Sequence, residues 1–298
     1  MEKLTKIINY SSDLKFDNLA VTIGAYDGIH NGHIAIFEKL SEQKSLKAVI
    51  TFDVHPDYVL NKRKDTGKIL TIEEKARIIS KYNIDYLIIL NSTILDLSYL
   101  EFNDILTSLG VKTIVVGSDF RYGKSAIGST DTLDSFNLIV IDLIMDNKQK
   151  LSSNTIREYL RLGKVDELTK YGFDLFEITG LVTSGAKLGR KLGFPTANIS
   201  IGDKYTDIRK GVYATNVIID NKTYLGVCNI GINPTVNTQD KTRLEVFIID
   251  ENIDLYDKKI KVVFRKFIRD EKKFIDIEEL VCQITKDVEL TKKILGEN

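Results

Sequence analysis

Two histidines stand three residues apart at the start of a predicted helix. His30 and His33 occur in residues 21–37, VTIGAYDGIHNGHIAIF, which read as a buried strand, a glycine turn and a helix. Backbone N–H groups at a helix start, together with two imidazoles, can stabilise the charge that develops on a transferring nucleotide. The stretch therefore predicts nucleotidyl-transfer chemistry. The alternative is an ordinary βα loop with two satisfied histidines.

The turn that precedes this helix is rich in glycine. Glycine accepts positive φ and lets a ligand approach the backbone, and a helix start attracts anions, so a triphosphate suits this place. We assign four of its residues to nucleotide binding, namely Gly24, Asp27, Gly28 and Gly32.

Two further polar loops follow predicted strands. His55, the third and last histidine, comes after the strand 46–52, and a loop containing Asp119, Phe120, Arg121 and Gly123 comes after the strand 113–116. Ligands of parallel sheets sit beyond the carboxyl ends of the strands, so we expect one crevice to hold all these loops. The alternative for Asp119 and Arg121 is an exposed ion pair.

A polar helix start at residues 152–157 is a candidate phosphate site. Ser152, Ser153 or Asn154 can cap this helix, which is a purely structural interpretation. A capped helix start that also carries Arg157 can bind phosphate, because N–H groups and a guanidinium share the oxyanions well.

Composition limits the possible partners. Lys plus Arg equal Asp plus Glu at 42 each, so no overall basic field indicates nucleic acid, and small ligands are expected. The two cysteines are far apart without metal-ligand spacing. No secretory signal and no run of about 18 apolar residues is found, so we expect a reduced, cytoplasmic protein without a membrane segment.

The pattern of apolar residues changes along the 298-residue chain, which is long enough for two domains. Buried strands first alternate with amphipathic helices, which predicts a doubly wound, Rossmann-like parallel sheet. From Phe176 onward, alternating strands separated by turns predict an antiparallel barrel, with a terminal helix over 277–295 packed on it. We therefore expect an α/β domain at 1–172 and an all-β domain at 173–298.

The second predicted domain contains a basic glycine loop. Gly185, Gly189 and Gly193 are spaced by four, with Arg190 and two lysines between them, so the loop can fold over phosphates. The sequence Phe-Pro-Thr-Ala-Asn follows at 194–198, where Thr196 and Asn198 offer neutral oxygens suited to Mg²⁺. A glycine-rich hairpin without function is the alternative.

Glu245 lies in the predicted strand 243–249. Alternation places it on the face opposite Leu244 and Val246. A lone strand glutamate is usually an exposed surface residue. If its face meets a nucleotide site, it can instead take a proton from an attacking hydroxyl.

The motifs in this order resemble one family, the bacterial bifunctional FAD synthetases. Four match the FMN adenylyltransferase half of that family, namely GAYDGIHNGH, FDVHP, VGSDFRYG and SSNTIR. Five features match the riboflavin kinase half, namely GRKLGFPTAN, GVY, NIGINPT, the glutamate strand and FIRDEKKF. The resemblance covers nearly the whole chain and implies two reactions: riboflavin plus ATP gives FMN, and FMN plus a second ATP gives FAD and pyrophosphate.

The resemblance also implies roles for individual residues. Glu245 would be the kinase base, and His30 and His33 would stabilise the adenylyl transition state. Arg157 would act beside Ser152 and Ser153 on the β- and γ-phosphates. Nucleotide binding is implied for Gly185, Gly189, Arg190, Gly193, Phe194, Pro195, Thr196, Asn198 and His55, with Mg²⁺ at Thr196 and Asn198. Flavin binding is implied for Asp119, Phe120, Arg121, Gly123 and Arg269. Riboflavin, FMN and ATP would be substrates, FMN and FAD products rather than prosthetic groups, and the protein a monomer or weak homo-oligomer.

Three positions depart from the family pattern. Val54 stands where the family commonly has proline, Asn154 where it has threonine, and Phe247 where it has histidine. Because Phe247 shares the face of Glu245, this change bears on kinase rate or flavin affinity. Two rival interpretations stay open: an adenylyltransferase of another acceptor with a flavin-binding barrel that does not catalyse, and a flavin-binding regulator without activity.

Overall fold

The computed structural model describes residues 4–60, 67–142, 145–146, 149–183, 192–200, 208–232, 242–251, 253 and 255–296. Residues 1–155 and 156–298 form two compact units. This division falls within one helix, whereas the sequence predicts a boundary at 172/173. The predicted domain boundary stays a prediction.

The first unit is built on a parallel sheet of six strands in the order β1-β4-β3-β2-β5-β6, each pair parallel. The strands are β1 (Lys6–Asn9), β2 (Leu19–Ile23), β3 (Leu46–Phe52), β4 (Tyr86–Leu90), β5 (Val111–Gly117) and β6 (Asn137–Ile141). Every residue of the central β2 is buried, as expected of a strand covered on both faces. The predicted α/β fold class is confirmed. A short hairpin follows the sheet, formed by β7 (Met145–Asp146) and β8 (Gln149–Lys150).

Helices connect these strands, and local sequence explains where they begin. They are α1 (Asn31–Ser41), α2 (Pro56–Val59), α3 (Ile72–Ser80), α4 (Tyr99–Ser108) and α5 (Ser153–Arg161). The side chains of Thr71 and Glu74 form a capping box at the start of α3, and those of Ser98 and Glu101 do the same for α4. Short 3₁₀ turns complete the connections at Ser92–Asp96, Lys124–Ala126, Thr130–Thr132 and Val165–Tyr171.

The second unit is a closed barrel of six antiparallel strands in the order β10-β13-β12-β11-β14-β9. Its strands are β9 (Glu177–Thr183), β10 (Thr196–Ser200), β11 (Gly211–Ile219), β12 (Lys222–Ile232), β13 (Thr242–Ile248) and β14 (Lys259–Arg269). Alternate residues fill the interior, for example Leu244 and Val246 of β13, which are both fully buried. The predicted barrel is confirmed.

A terminal helix, α6 (Ile277–Leu295), contacts β11 and β12 of this barrel. Asp276 caps its first turn by accepting the N–H of Glu279 at 2.8 Å. The predicted helix has the observed bounds and packs on the barrel as expected. Among the described residues, no helix combines the length and the apolar composition that crossing a bilayer requires.

The sequence did not predict five strands: β1, β6, β7, β8 and β10. β1 has only four residues, and β10 directly follows the glycine loop, so Thr196–Ser200 reads as the end of that loop. Pairing with distant strands decides both cases, since β1 joins β4 and β10 joins β9 and β13. Such nonlocal pairing leaves no local pattern to read.

Candidate functional site

The two histidines of the glycine turn lie together at the start of α1. Their rings are stacked, with centroids 3.8 Å apart and planes inclined by 22°. Nδ1 of His30 accepts the N–H of Gly32 at 3.2 Å and thereby caps the helix, while Nδ1 of His33 lies 3.1 Å from the carbonyl oxygen of Gly28. Both backbone contacts use Nδ1 of the imidazole ring.

Tyr26 supports the ring of His33. Its ring meets the ring of His33 edge to face at 4.9 Å, and its hydroxyl lies 2.5 Å from Oγ1 of Thr22 on β2. Burial raises the pKa of the Tyr26 phenol, which opposes the lowering effect of the bond to Thr22. The phenol is therefore protonated at neutral pH and acts as a support rather than as a base.

The turn before the histidines is held by buried polar groups. The carbonyl oxygen of Ala25 accepts from Nζ of Lys75 at 2.6 Å and from Oγ1 of Thr51 at 3.0 Å. Oδ1 of Asp27 accepts the N–H of Ile69 at 3.0 Å, and the side chain of Asp27 is buried. The structure thus gives Asp27 a role in holding the turn, and its predicted contact with nucleotide stays a prediction.

A cavity of about 240 Å³ lies at the carboxyl edge of the sheet. Its wall includes both histidines and three of the predicted loops, through these residues: Gly24, Tyr26, His30, Gly32, His33, Gly117, Asp119, Phe120, Ser152 and Ser153. Oγ of Ser153 accepts the N–H of Gly28 at 3.2 Å, which joins the helix start to the glycine turn. The structure therefore brings these three loops into one crevice.

Other predicted residues do not line this cavity. His55 caps α2, where its Nδ1 accepts the N–H of Asp57 at 3.1 Å, and the exposed Arg121 donates to the carbonyl of Phe120 at 2.9 Å. Gly123 has φ of +71°, and a Cβ there would crowd the backbone of Tyr99, so its conformation explains the glycine. His55, Arg121 and Gly123 are thus not among the residues that line this cavity, and their binding roles stay predictions.

Arg157 follows Ser153 by one turn on α5. Its side chain is only 3% exposed. A guanidinium so deeply buried must be paired or hydrogen-bonded. Its predicted contact with the β- and γ-phosphates stays a prediction.

The second cluster of polar side chains lies on the outer face of the barrel. Glu245 of β13 stands directly opposite Asn198 of β10 on one side and Asn229 of β12 on the other. Paired residues of neighbouring strands project to the same side of a sheet, so the carboxylate lies between two amides. The predicted face of Glu245, opposite Leu244 and Val246, is the observed one.

Arg243 is the cation of this polar face. Its Nη2 donates to Oε1 of Glu245, and its Nε donates to Oδ1 of Asn198 at 3.3 Å. Sequence reasoning missed Arg243 and Asn229. Strand alternation places Arg243 on the same face as Glu245. Its bond to Asn198, however, depends on the pairing of β10, which the sequence did not predict.

This face borders a cavity of about 370 Å³, a size typical of small-molecule sites. Its apolar wall comes from the barrel, the segment before β10 and the terminal helix, through Leu192, Phe194, Val212, Val227, Phe247, Phe274, Leu280 and Ile284. Its polar wall comes from Thr196, Asn229, Arg243, Glu245, Arg269, Glu271, Lys272 and Asp287. A wall of apolar and polar side chains in equal number suits a ligand that has both an apolar and a polar part.

Arg269 is bound by the terminal helix. The carboxylate of Asp287 accepts from Nε of Arg269 at 3.0 Å and from Nη2 at 2.7 Å, and Gln283 donates to the same carboxylate at 3.0 Å. The side chain of Asp287 is 3% exposed. Sequence reasoning named Arg269 and missed Asp287, which reads as one polar residue of an amphipathic helix.

Several predicted residues lie outside the described part of the chain, namely Gly185, Gly189 and Arg190. Of the neighbouring residues that are described, Gly193 has φ of +85°, and Phe194 meets the ring of Phe247 edge to face at 5.3 Å. Phe247, one of the three departures, therefore completes an aromatic corner of the cavity.

The side-chain oxygens of Thr196 and Asn198 suit Mg²⁺ only where substrate phosphates supply further ligands. In the described part of the chain, no three His, Cys, Asp or Glu side chains come together as a metal centre. Mg²⁺ is usually held by one or two protein oxygens, waters and substrate phosphates, and the Thr196 hydroxyl and the Asn198 amide oxygen are donors of that kind. Oδ1 of Asn198 is shared with Arg243 in this structure.

The first unit has a parallel sheet with two imidazoles at a helix start, and the second is a barrel with a carboxylate on its outer face. These features together define a two-unit protein of the nucleotide-handling class. The FAD synthetase family model matches residues 13–156, and the riboflavin kinase family model matches residues 173–295. A bifunctional riboflavin kinase/FMN adenylyltransferase of Buchnera aphidicola is 37% identical, covering 93% of this chain and 94% of that protein. The Listeria monocytogenes protein of the same name is 33% identical, covering 94% and 93%. The chain belongs to the family of bifunctional riboflavin kinase/FMN adenylyltransferases.

A solved structure shares this architecture over most of the chain. The crystal structure of a macrolide-efflux protein from Streptococcus pneumoniae matches with a TM-score of 0.86 and 28% identity, covering 96% of this chain and 98% of that one. Its name describes that protein, and the likeness concerns the architecture alone.

Proposed function

We propose that this chain makes FAD from riboflavin in two steps. The barrel unit phosphorylates riboflavin with ATP, giving FMN and ADP. The α/β unit then transfers AMP from a second ATP to FMN, giving FAD and pyrophosphate. The observation that carries the proposal is the position of Glu245 between two amides, on the wall of a cavity of about 370 Å³.

In the kinase step, Glu245 takes the proton of the ribityl 5′-hydroxyl. The hydroxyl oxygen forms a bond to the γ-phosphorus of ATP, and the bond from that phosphorus to the β,γ-bridging oxygen breaks. Such transfers depend on positioning and charge neutralisation more than on covalent catalysis. Thr196 and Asn198 would hold the nucleotide with its Mg²⁺, which offsets phosphate charge when bound.

In the adenylyl step, a phosphate oxygen of FMN attacks the α-phosphorus of ATP and pyrophosphate leaves. The ring nitrogens of His30 and His33 stand on the cavity wall at the positive end of α1. Donation from these atoms to the α-phosphate oxygens would stabilise the transition state. Asp119 and Phe120, on the same cavity wall, would contact the flavin.

The remaining assignments complete this proposal. Residues 1–172 and 173–298 would be the adenylyltransferase and kinase domains. Riboflavin, FMN and ATP would be the partners, without nucleic acid, and the chain would act in the cytoplasm as a monomer or weak homo-oligomer.

Product analysis tests the function directly. The chain is incubated with riboflavin, ATP and Mg²⁺, and flavins are separated by chromatography. FMN followed by FAD is the expected result. FAD formation from added FMN with no FMN from riboflavin would favour an adenylyltransferase with a barrel that only binds, and no turnover of either flavin would favour a regulator.

The variant Glu245→Gln tests the proposed base. Loss of a general base costs about 10²- to 10⁴-fold, so FMN formation should fall by that amount while added FMN still becomes FAD. Glu289→Gln on the exposed side of α6 is the matched control, since Glu289 does not line the cavity. Normal FMN formation by Glu245→Gln would remove Glu245 from this role.

A further inference from the structure

One guanidinium contacts two of the proposed kinase residues. Arg243 donates from Nη2 to the carboxylate of Glu245 and from Nε to the amide oxygen of Asn198. Both nitrogens belong to one rigid plane, so the two bonds cannot change direction independently. The position of the carboxylate is therefore linked to that of the amide.

Strand geometry explains how one side chain reaches both partners. Arg243 and Glu245 are two residues apart on β13 and so project from the same face. Asn198 lies on the neighbouring β10, directly opposite Glu245. Arg243 thus contacts Glu245 along its own strand and Asn198 on the neighbouring strand. These contacts hold the three side chains together on the polar face.

Phe247 is the next residue of β13 on this face and carries no charge. Its ring contacts Phe194 at 5.3 Å between centroids, so it forms part of the apolar wall. Along β13, the cation beside Glu245 is therefore Arg243.

The charge of Arg243 also matters for the cavity as a whole. Three carboxylates and three cations line it, namely Glu245, Glu271 and Asp287 with Arg243, Arg269 and Lys272. Glu271 lies close to Arg243, because its carboxylate occupies the space that a Cβ on Gly231 would need, and Gly231 is paired with Arg243 across the strands. Without Arg243 the wall has three negative groups against two positive ones, which repels a triphosphate.

We propose that Arg243 is a positioning residue of the kinase site, a role that rests on the proposed function of Glu245. Arg243 orients the carboxylate so that one oxygen faces the ribityl hydroxyl, and it holds Asn198 toward the nucleotide. The proton still passes from the 5′-hydroxyl to Glu245, and Arg243 neither gains nor loses one. Its contribution is to the geometry of the reacting groups and to the charge of the wall.

The test compares Arg243→Met, Arg243→Lys and the control Arg265→Met in the full chain. Arg265 belongs to the same barrel and does not line the cavity. Arg243→Met should lower kcat for FMN formation on the order of 10- to 100-fold, with little change in the KM for riboflavin. Arg243→Lys keeps the charge but loses the fork, so its kcat should lie between those of Arg243→Met and the unmodified chain.

Two further measurements separate an effect on the kinase site from a general loss of folding. FAD formation from added FMN should stay normal in every variant, and thermal unfolding shows whether each one is folded; if Arg243→Met does not fold, Arg243→Lys decides alone. An unchanged kcat overturns the proposal. A higher kcat or a lower KM overturns it as well, by showing that Arg243 competes with substrate for Glu245. If the unmodified chain forms no FMN, the proposed function itself has failed.

Discussion

Asp287 is the buried partner on which Arg269 depends. Removing one member of a buried ion pair leaves the other uncompensated, at a cost of about 3 kcal/mol when the remaining charge is mostly buried. In Asp287→Asn, we expect a lower free energy of unfolding and a higher KM for riboflavin, because Arg269 is then free to turn away from the cavity. Urea unfolding and kinase kinetics measure the two effects.

The control for Asp287→Asn is Glu289→Gln on the exposed side of the same helix. That change should leave both quantities as they are, since surface substitutions away from buried contacts are usually within about 0.5 kcal/mol. If Asp287→Asn keeps the stability and the KM of the unmodified chain, Arg269 does not depend on this carboxylate.

Individual residues were predictable where local sequence contains the information. Alternation along one strand placed Glu245 on the face opposite Leu244 and Val246, and the helix start placed His30 and His33 together. Arg243 and Asp287 were not predictable in the same way, because each is defined by a partner on another element. An arginine in a strand and an aspartate in an amphipathic helix are ordinary surface residues until the fold brings Asn198 and Arg269 against them.

At the level of elements, helix α3 supports the glycine turn through Lys75. Its ammonium donates to the carbonyl of Ala25 and is buried, with 5% exposed surface. Lys75→Met removes the charged one of the two donors to this carbonyl, and a hydrogen bond to a charged group contributes about 1.5–3 kcal/mol. We expect FAD formation from FMN to fall while FMN formation from riboflavin stays normal, as measured by separate assays of the two steps.

The exposed Lys44→Met is the control for this change. It removes the same charge without touching the turn, so both activities should be normal. An equal loss of FMN formation in Lys75→Met would mean that the substitution disturbs the chain generally rather than the turn.

The barrel contains two acidic groups that burial keeps protonated. Burial raises the pKa of the Cys228 thiol and of the Tyr213 phenol above their ordinary ranges. In the unfolded chain these groups lose their protons above about pH 8.5 and pH 10 respectively. The folded state binds more protons in this range. The stabilisation that these two groups contribute should therefore be fully present below about pH 8.5 and should be lost as the pH rises.

Urea unfolding between pH 7.5 and pH 10.5 tests this alkaline loss. Cys228→Ala should show a shallower decline than the unmodified chain, whatever its stability at neutral pH. The exposed Cys282 gives the control, since Cys282→Ala should leave the slope unchanged. Equal slopes for Cys228→Ala and the unmodified chain would contradict the role given to the buried thiol.

Helices and strands were predictable from the sequence where their pattern of apolar residues is long and regular. The strand Leu46–Phe52 and the helix Ile277–Leu295 were predicted with their observed bounds. β10 was not, because five residues after a glycine loop form a strand only when β9 and β13 lie beside them. This strand carries Thr196 and Asn198, so their regular spacing on one strand came from the structure, and their role as oxygen donors stays a prediction.

For the whole molecule, the two proposed sites belong to separate compact units with unlike scaffolds. The kinase residues lie on a closed barrel, and the adenylyl residues lie at the edge of a parallel sheet. FMN is the product of one site and the substrate of the other. If FMN leaves into solution between the steps, the two activities need not belong to the same polypeptide.

A complementation experiment tests this independence. Glu245→Gln should make FAD from FMN but not from riboflavin, and His30→Ala with His33→Ala should make FMN but lose FAD formation by about 100-fold or more, because the donors to the α-phosphate are gone. Mixed in one reaction with riboflavin, ATP and Mg²⁺, the two variants should together produce FAD, since FMN released by one chain reaches the other. Lysates are avoided, and each purified variant alone is the control. If both partial activities are present but the mixture makes no FAD, FMN must pass between sites of one chain, and the sites are not independent.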